Sequence, residues 1–502
     1  MPVSLAASQL TAPGVYVREI PAGATPEITT FNRLYLLGTA AALATDRLPL
    51  TPYQIASYDD FLNQFGGSSA VILNTIEYLF KFYPNAQVFY AAVEKAEQRT
   101  ITVEQPVTAG EHTLTFDIVG TPTAVTYTAV GTDTAQIVID ALLAAVNDNT
   151  ALNQLVEIET AINNDGESDY TEGEFYVRAK LPNKALPSLT SSANLALSPL
   201  SPAAAPTATD WTYGITASFG EDLFQGYLCI PEPFYTMERQ ADRTAVQQAI
   251  ELFTSDQAIN WIGIVDCGPP ALIDDSSAME AERLNYTSTR GHTWYIGPWP
   301  KDSDNDYVSP AVMQAVFALK RNSIESFVQP PAGTGYPLVG LRDLDFNVTT
   351  NQHATLNQAG VNVIKPIRGK GLCVYGARTM SIDPLYRFCN TRVILNVYAR
   401  SLYDSLANSN LVFTVIDGEG TLFNRVKQVA DTLCFRLLEA GALYGASPDD
   451  AFLNICDARN NPDLDLQGGA VQLTSILTVS PTGERIIANI APIPIGALAA
   501  YA

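Results

Sequence analysis

Three histidines, six cysteines and one run of alternating acids are the residues that could carry chemistry. His112, His292 and His353 stand in three separate sequence contexts. A Ser/His/Asp triad needs one imidazole held by a carboxylate and facing a nucleophile, and nothing local supplies either partner. No GxGxxG, P-loop, HExxH or GxSxG occurs, so dinucleotide, phosphate, zinc-peptidase and hydrolase chemistry find no motif. Cys229, Cys267, Cys373, Cys389, Cys434 and Cys456 are widely spaced, with no CxxC pair and no Cys/His cluster. They read as reduced core thiols of a chain made in a reducing compartment. Asp302-Ser303-Asp304-Asn305-Asp306 opens like a calcium loop, but Tyr307 and Met313 stand where an EF-hand needs Gly and Glu. A solvated turn before the next helix is the reading adopted. Asp463 and Asp465 suit a turn in the same way. Trp294 and Trp299 flank Gly297-Pro298 and read as core and turn aromatics. No residue is expected to be catalytic, cofactor-binding or metal-ligating, and no cofactor is expected.

The charge is unevenly spread. The 502 residues hold 29 Lys and Arg against 52 Asp and Glu, a net charge of −23. Residues 360–485 hold 12 basic and 12 acidic side chains, so the rest carries the whole excess. Within that neutral part, Lys365, Arg368, Lys370, Arg378, Arg387, Arg392 and Arg400 face a single Asp383 over 365–400. A basic band in an acidic chain can meet an acidic partner, including a second copy of itself. So acidic a chain is a poor binder of phosphate backbones, and no direct nucleic-acid contact is expected. No run of 18 apolar residues occurs, so no direct membrane partner is expected either. The N-terminus lacks the basic start and sustained apolar run of a secretory signal.

These residues must be positioned by elements that alternate. Leu34–Gly38, Val88–Val93, Gly226–Ile230, Trp261–Asp266 and Thr293–Ile296 read as unbroken apolar strands. Helices are expected from Ser57, over Val71–Phe82, Arg243–Phe253 and Pro310–Arg321. Such alternation predicts a mostly parallel sheet covered on both faces. The texture changes over 100–209, with 3 basic and 13 acidic residues. There a hairpin around Gly120-Thr121-Pro122, a helix over Ala135–Val146 and a strand at Phe175–Ala179 are expected, with 185–209 as a linker. The last part reads as helices over Arg392–Ala407 and Thr421–Ala440, with Thr421 a possible cap and Gly441 past the end. Strands are expected at Leu411–Val415, Ala451–Asp457, Val471–Val479 and Arg485–Ile493. Near the N-terminus, Val15-Tyr16-Val17-Arg18-Glu19-Ile20 is a short strand between breakers with no local partner. It must find an edge in its own chain or in a neighbour.

Three segments together resemble the tail sheath proteins of contractile phage tails and contractile injection systems. Thr11–Ile20 is close to the family's "PGVYV-E" strand. Gly360–Ile364 with Gly371–Thr379 and Asp383-Pro384 is similar to "G(I)N-I…G…WGARTL…DP". Gly441–Phe452, followed by Cys456-Asp457 and Asn461-Pro462, is similar to "GAL-GATPEEAF" and "V-CD…NP". The pattern is departed from where Tyr375 replaces the usual Trp, and in a second helix with fewer arginines. The match is specific at the N-terminus and over 360–495, looser over 30–95 and 210–350, and absent over 100–209.

The resemblance implies an α/β multidomain protein. It has a subtilisin-like α/β core without the triad and an α+β C-terminal domain whose strands are exchanged between subunits; the mostly-β domain inserted in a surface loop of the α/β unit is expected from the change of texture over 100–209 instead. The expected division is an extended arm over 1–28, a discontinuous core over 29–99 and 210–384, an acidic outer insert over 100–209, an inner domain over 385–484 and a second arm over 485–502. It implies a non-enzymatic subunit polymerised as stacked hexameric rings around an inner tube. Its partners would be itself, the tube protein, and baseplate and terminator or cap proteins. The particle, a phage tail or injection device, would be assembled in the bacterial cytoplasm. Arm strands would run through Val15–Ile20 and through Ile486, Ile487, Ala488, Asn489 and Ile490. Arg387, Arg392, Arg400, Arg425 and Lys427 are the expected tube-facing cations. A self-assembling surface-layer or adhesin protein and a hydrolase with a subtilisin-like fold are the rival readings.

Overall fold

The computed structural model describes residues 27–160, 173–182, 184–202, 205–220, 223–256, 260–408 and 411–486. The chain divides into two compact units. One holds Thr29, Tyr398–Glu439 and Gly445–Thr478. The other holds Thr30–Val397, Ala440–Tyr444 and the chain from Val479.

The larger unit is built on an eight-stranded sheet. In spatial order its strands are Gly371–Val374, Val361–Ile367, Thr293–Gly297, Ile262–Asp266, Tyr227–Cys229, Arg33–Gly38, Gln87–Ala92 and Tyr53–Ile55. The six inner strands run parallel, and the two edge strands are antiparallel. Every residue of Ile262–Asp266 and Thr293–Gly297 is buried, which requires cover on both faces. Helices Gln240–Ser255 and Pro310–Ile324 supply part of it by packing on these two strands. Gly263 marks a close approach, since a Cβ there would lie 2.3 Å from Ile250 Cγ2. Ser57 caps helix Tyr58–Phe65 by accepting from Asp60 N, and Ala70–Phe82 stops before Pro84. The expected α/β alternation is what forms.

Between Gln87–Ala92 and Tyr227–Cys229 the chain makes two antiparallel sheets with a core of their own. One sheet orders Leu195–Leu197, Glu97–Val103, Glu174–Ala179 and Val156–Thr160, with Ser201–Pro202 also on Glu97–Val103. The other orders Thr121–Ala129, Gly110–Ile118 and Ser188–Ser191. Helix Ala135–Asp148 contributes Val138, Ile139 and Leu142 to a core shared with Leu114, Phe116 and Phe175. The hairpin turns at Val119 and Gly120, both at positive φ, so Thr121 and Pro122 already belong to the strand. The 185–209 stretch is not a linker. It contributes three strands, and Leu186, Leu189 and Leu195 are buried there. Its Pro and Ser content hid an alternation too short to read.

The smaller unit packs the C-terminal part of helix Cys389–Asn408 and helix Thr421–Glu439 with an antiparallel pair, Phe452–Ile455 and Thr474–Leu477. Leu411–Val415 is not a strand: Leu411 is buried, whereas Val412, Phe413 and Val415 are exposed, with Phe413 at φ 63°. Thr421 is the first helical residue rather than the cap; Asp417 Oδ1 accepts its N–H at 2.9 Å. Gly441 sits at φ 75° beyond the helix end, as a left-handed terminator should.

Candidate assembly surfaces

The residues that could have been chemical are structural. In doubly wound sheets a ligand sits where the strand order reverses. Here that place lies between Arg33–Gly38 and Tyr227–Cys229, and it is filled. Buried Glu232 accepts from Thr39 N at 2.9 Å and from Thr39 Oγ1 at 2.8 Å. At the end of the next strand, buried Asp266 accepts from Ala311 N at 2.6 Å and Ser309 Oγ at 2.9 Å. Burial pushes its pKa up to about 7, against those hydrogen bonds. Glu282 is enclosed by Arg243 Nε at 2.7 Å, Gly268 N at 2.6 Å and Tyr295 Oη at 2.7 Å.

The histidines bond to backbone: His112 Nδ1 lies 3.3 Å from Gly110 O and His292 Nδ1 lies 3.1 Å from Trp261 O. Burial lowers His292 to about 4. All six cysteines are free and buried. Asp302 Oδ1 accepts from Asp304 N and Asp306 N, a closed turn. Asp465 accepts from Gln472 Nε2 at 2.8 Å. Trp294 and Trp299 are fully buried, with Trp299 Nε1 donating to Gly268 O at 2.9 Å. Among the described residues no cluster of His, Cys, Asp or Glu could hold a metal, and no helix is long and apolar enough to cross a membrane.

The quoted motifs instead tie chain segments together. Asn362 is fully buried; its Nδ2 donates to Arg378 O at 2.8 Å and its Oδ1 accepts from Arg378 N at 2.7 Å. Gly360 lies at φ 79°, where a Cβ would meet Thr379 O at 2.6 Å. Gly445 leaves room for Ala451. Asn461 laces its loop, donating to Asp457 O at 3.0 Å and accepting from Gln472 N at 2.6 Å. Each Asn side chain both donates and accepts, and each Gly permits an approach that a Cβ would crowd.

The roots of both chain ends are fixed. In the smaller unit Thr29 N donates to Ser401 Oγ at 2.8 Å and Thr29 Oγ1 to Asp404 Oδ2 at 3.0 Å. In the larger unit Asn390 Nδ2 donates to Ser480 O at 3.0 Å and Thr482 Oγ1 to Asn390 Oδ1 at 2.6 Å. Arg378 then grips Glu484, with Nη2 to Oε2 at 2.6 Å and Nε to Oε1 at 3.0 Å. Burial alone would raise the Glu484 pKa; the Arg378 hydrogen bonds and charge win and hold it below the usual range. Val15–Ile20 and Ile487–Ile490 lie outside the described residues. Arg485 and Ile486 are in no strand, and Ile486 is exposed.

The candidate cations part company. Arg392 is buried: its Nη1 reaches Arg290 O at 3.4 Å, and burial lowers its pKa to about 10. Arg387 is exposed and also belongs to the larger unit. In the smaller unit Arg400 pairs with Asp404 at 3.0 Å and Lys427 with Asp431 at 2.8 Å, whereas Arg425 is exposed. What sequence reasoning missed is the pair Leu453 and Ile476. They sit opposite each other in the two-stranded sheet, both exposed. No signal for it was available: Phe-Leu-Asn-Ile does not alternate, and the buried residue is the polar Asn454 while Leu453 faces out.

No protein-family model matches the sequence, and no curated protein matches it. Solved structures do, over almost the whole chain. The sheath complex of an extracellular contractile injection system (PVC) in its contracted state is similar at TM-score 0.56 and 13% identity, covering 96% of this chain and 97% of that one. The helical sheath of the anti-feeding prophage in its contracted state gives 0.55 and 16%, covering 96% and 99%. A chain of the six-fold symmetrised baseplate of the same prophage gives 0.54 and 16%, covering 96% and 99%. A likeness over 96% of this chain and 97–99% of those chains shows the fold: it is that of the sheath proteins of contractile injection systems.

Proposed function

We propose that this chain is a non-enzymatic sheath subunit. It polymerises as stacked hexameric rings around an inner tube and contracts to drive the tube through a target envelope. The observation that carries this is the whole-chain likeness to sheaths in the contracted state. The core is a subtilisin-like sheet whose ligand crevice is closed by Glu232. Residues 1–28 and 485–502 are arms. Val15–Ile20 and Ile486–Ile490 add strands to the open edges of the Phe452–Ile455 and Thr474–Leu477 pair in neighbouring copies. Each net hydrogen bond is worth about 0.5–1.5 kcal/mol, and roughly four to six per arm hold neighbours together while their bodies rotate. A head-to-tail contact that does not close yields a helical polymer. Two packings that differ by a few kcal/mol per subunit, multiplied along the polymer, supply the work.

Tube contact falls to Arg400, Arg425 and Lys427 of the smaller unit, because Arg392 is buried and Arg387, though exposed, belongs to the larger unit. The acidic insert faces outward and keeps the polymer soluble. Baseplate and terminator proteins bound the stack, which assembles in the bacterial cytoplasm as a phage tail or injection particle. Negative-stain microscopy of the purified chain tests this directly: hollow tubes or stacked cogwheel rings are expected, and dispersed globules overturn it. Removal of both arms should abolish tubes while the fold persists by circular dichroism.

A further inference from the structure

The inserted sheets carry a long strand with an unused edge. Thr121–Ala129 pairs over all nine residues with Gly110–Ile118 on one side and, among the described residues, with no strand on the other. Thr113 shows which groups face the open side. Its N–H donates to Ser192 Oγ at 3.0 Å and its C=O accepts from Ser192 N at 2.9 Å, both away from Thr121–Ala129. Thr126, its cross-strand partner, therefore exchanges no ladder bond with it and turns its own N–H and C=O outward. By the two-residue period Ala124 and Thr128 do the same, and Pro122, which has no N–H to give, falls in the same set. The register runs one to one without a bulge, and no charged residue guards the strand.

Both ends of this edge are apolar. Val119, in the turn before the strand, is 100% exposed and sits at φ 50°, a conformation that a β-branched residue adopts only under strain. Val130, just after the strand, is 57% exposed. A strained valine in water adds nothing to the chain's own core and offers a partner an apolar end contact.

Charge and geometry select the occupant. A row of bare N–H and C=O groups is completed by another extended backbone, which makes the occupant a peptide segment. The uncovered face of Gly110–Ile118 presents Glu111, Thr113, Thr115 and Asp117; Glu111 lies opposite Thr128 and Asp117 opposite Pro122. Both acids are exposed, and among the described residues neither forms an ion pair. None of the three cations of 100–209 answers them: Arg178 is buried against Glu159, Lys180 donates to Asn153 O at 2.6 Å, and Lys184 is in no ion pair. The same stretch holds 13 acids, so a second insert brought edge to edge would set like charges together. The short side chains of Thr128 and Pro122 let a lysine on an added strand reach across to each acid. We infer that this edge docks an extended basic segment of a different protein, with cations on one face six residues, about 20 Å, apart to match Glu111 and Asp117. The inference concerns the insert alone and holds whether or not the chain polymerises.

The probe is a nine-residue peptide with lysine at its second and eighth positions, threonine at the fourth and sixth and valine elsewhere, a palindrome that fits the edge in either direction. Fluorescence anisotropy with the full chain should show binding that weakens as salt rises. Residue-resolved hydrogen exchange should find the Ala124, Thr126 and Thr128 amides slowed at least tenfold by the peptide, with Thr123, Val125 and Tyr127 unchanged. Glu111→Lys with Asp117→Lys should weaken binding at least tenfold at unchanged melting temperature. Thr126→Pro, which removes one outward N–H and no ladder bond, should do the same; if that variant misfolds, the charge reversal decides alone. No binding, equal binding of a peptide with glutamate in place of both lysines, or slowing confined to Phe452–Ile455 and Thr474–Leu477 overturns the inference. So does protection of the three amides before peptide is added, since another copy would then hold the place.

Discussion

Replacing Glu484 by Gln should loosen the chain just before residue 487. Arg378 offers Nε to both carboxylate oxygens, at 3.0 and 3.2 Å, and Nη2 to Oε2 at 2.6 Å, while its Nη1 is held by Asn357 O at 2.8 Å. The two side chains are 7% and 17% exposed. Removing one charge of a buried pair costs about 3–5 kcal/mol. Gln retains an acceptor and Glu484 sees some water, so about 2–3 kcal/mol is the working figure. At about 1.4 kcal/mol per tenfold, local opening becomes roughly 30- to 150-fold more frequent. The reporter is the Ser480 amide, which donates to Ala442 O at 2.9 Å. Hydrogen exchange of a 479–486 peptide in the Glu484→Gln chain should accelerate by that factor, with strand Ile262–Asp266 unchanged. The pH dependence has a defined sign. A carboxyl held below its unfolded value stabilises fully above the ordinary glutamate range near 4.5. It loses that contribution only as pH falls through its own lower value. Equal protection of 479–486 in both chains at neutral pH would refute the clamp.

Asp266 carries the opposite sign. Its pKa of about 7, against 3.8 unfolded, means the neutral form is favoured by folding, so stability should rise as pH falls from about 7 to about 4. The full span is on the order of 4 kcal/mol, and urea midpoints should show Asp266→Asn flattening this slope; an unchanged slope removes Asp266 as its source. Excision of 97–205 with a short Gly-Ser bridge should leave a folded core and intact tubes, because Glu97 and Gln98 already pair with Pro202 and Ser201 and Ala96 N reaches Asp210 Oδ1 at 3.2 Å. Loss of all tubes would contradict the outward placement. Arg425→Glu with Lys427→Glu should weaken co-sedimentation with tube several-fold and leave tube-free polymers unaltered; wild-type co-sedimentation would move the tube contact elsewhere.

The sheet was legible because its strands are unbroken apolar runs between helices with clear stops, such as Ser57 and Pro84. The short strands of the insert were less so. Ser188–Ser191 and Leu195–Leu197 each bury only one side chain fully, and Pro and Ser surround them. Leu411–Val415 misled for the converse reason: β-branched and aromatic residues predict a strand only where a partner edge exists, and here Phe413 turns outward at positive φ. Basic side chains close in sequence, such as Arg387 and Arg392, separated because Arg387 lies exposed in the turn before helix Cys389–Asn408 whereas Arg392 is on that helix's buried face. Sequence charge alone could not divide them.

The exposed sheet of the smaller unit is better explained by what it lacks than by what it has. Two strands of four residues are not stable alone in water, yet this pair is pinned from below. Asn454 Nδ2 donates to Asp431 Oδ1 at 2.9 Å, and Tyr398 Oη lies 2.6 Å from Ser475 Oγ. Among the described residues no further strand pairs with either outer edge, and the helices Cys389–Asn408 and Thr421–Glu439 hold the pair and its Leu453–Ile476 face in register. An unguarded edge is normally blunted by Lys, Pro or a bulge, and none interrupts Phe452–Ile455 or Thr474–Leu477. On the proposed reading, a strand entering this template gains main-chain bonds without the cost of ordering its host.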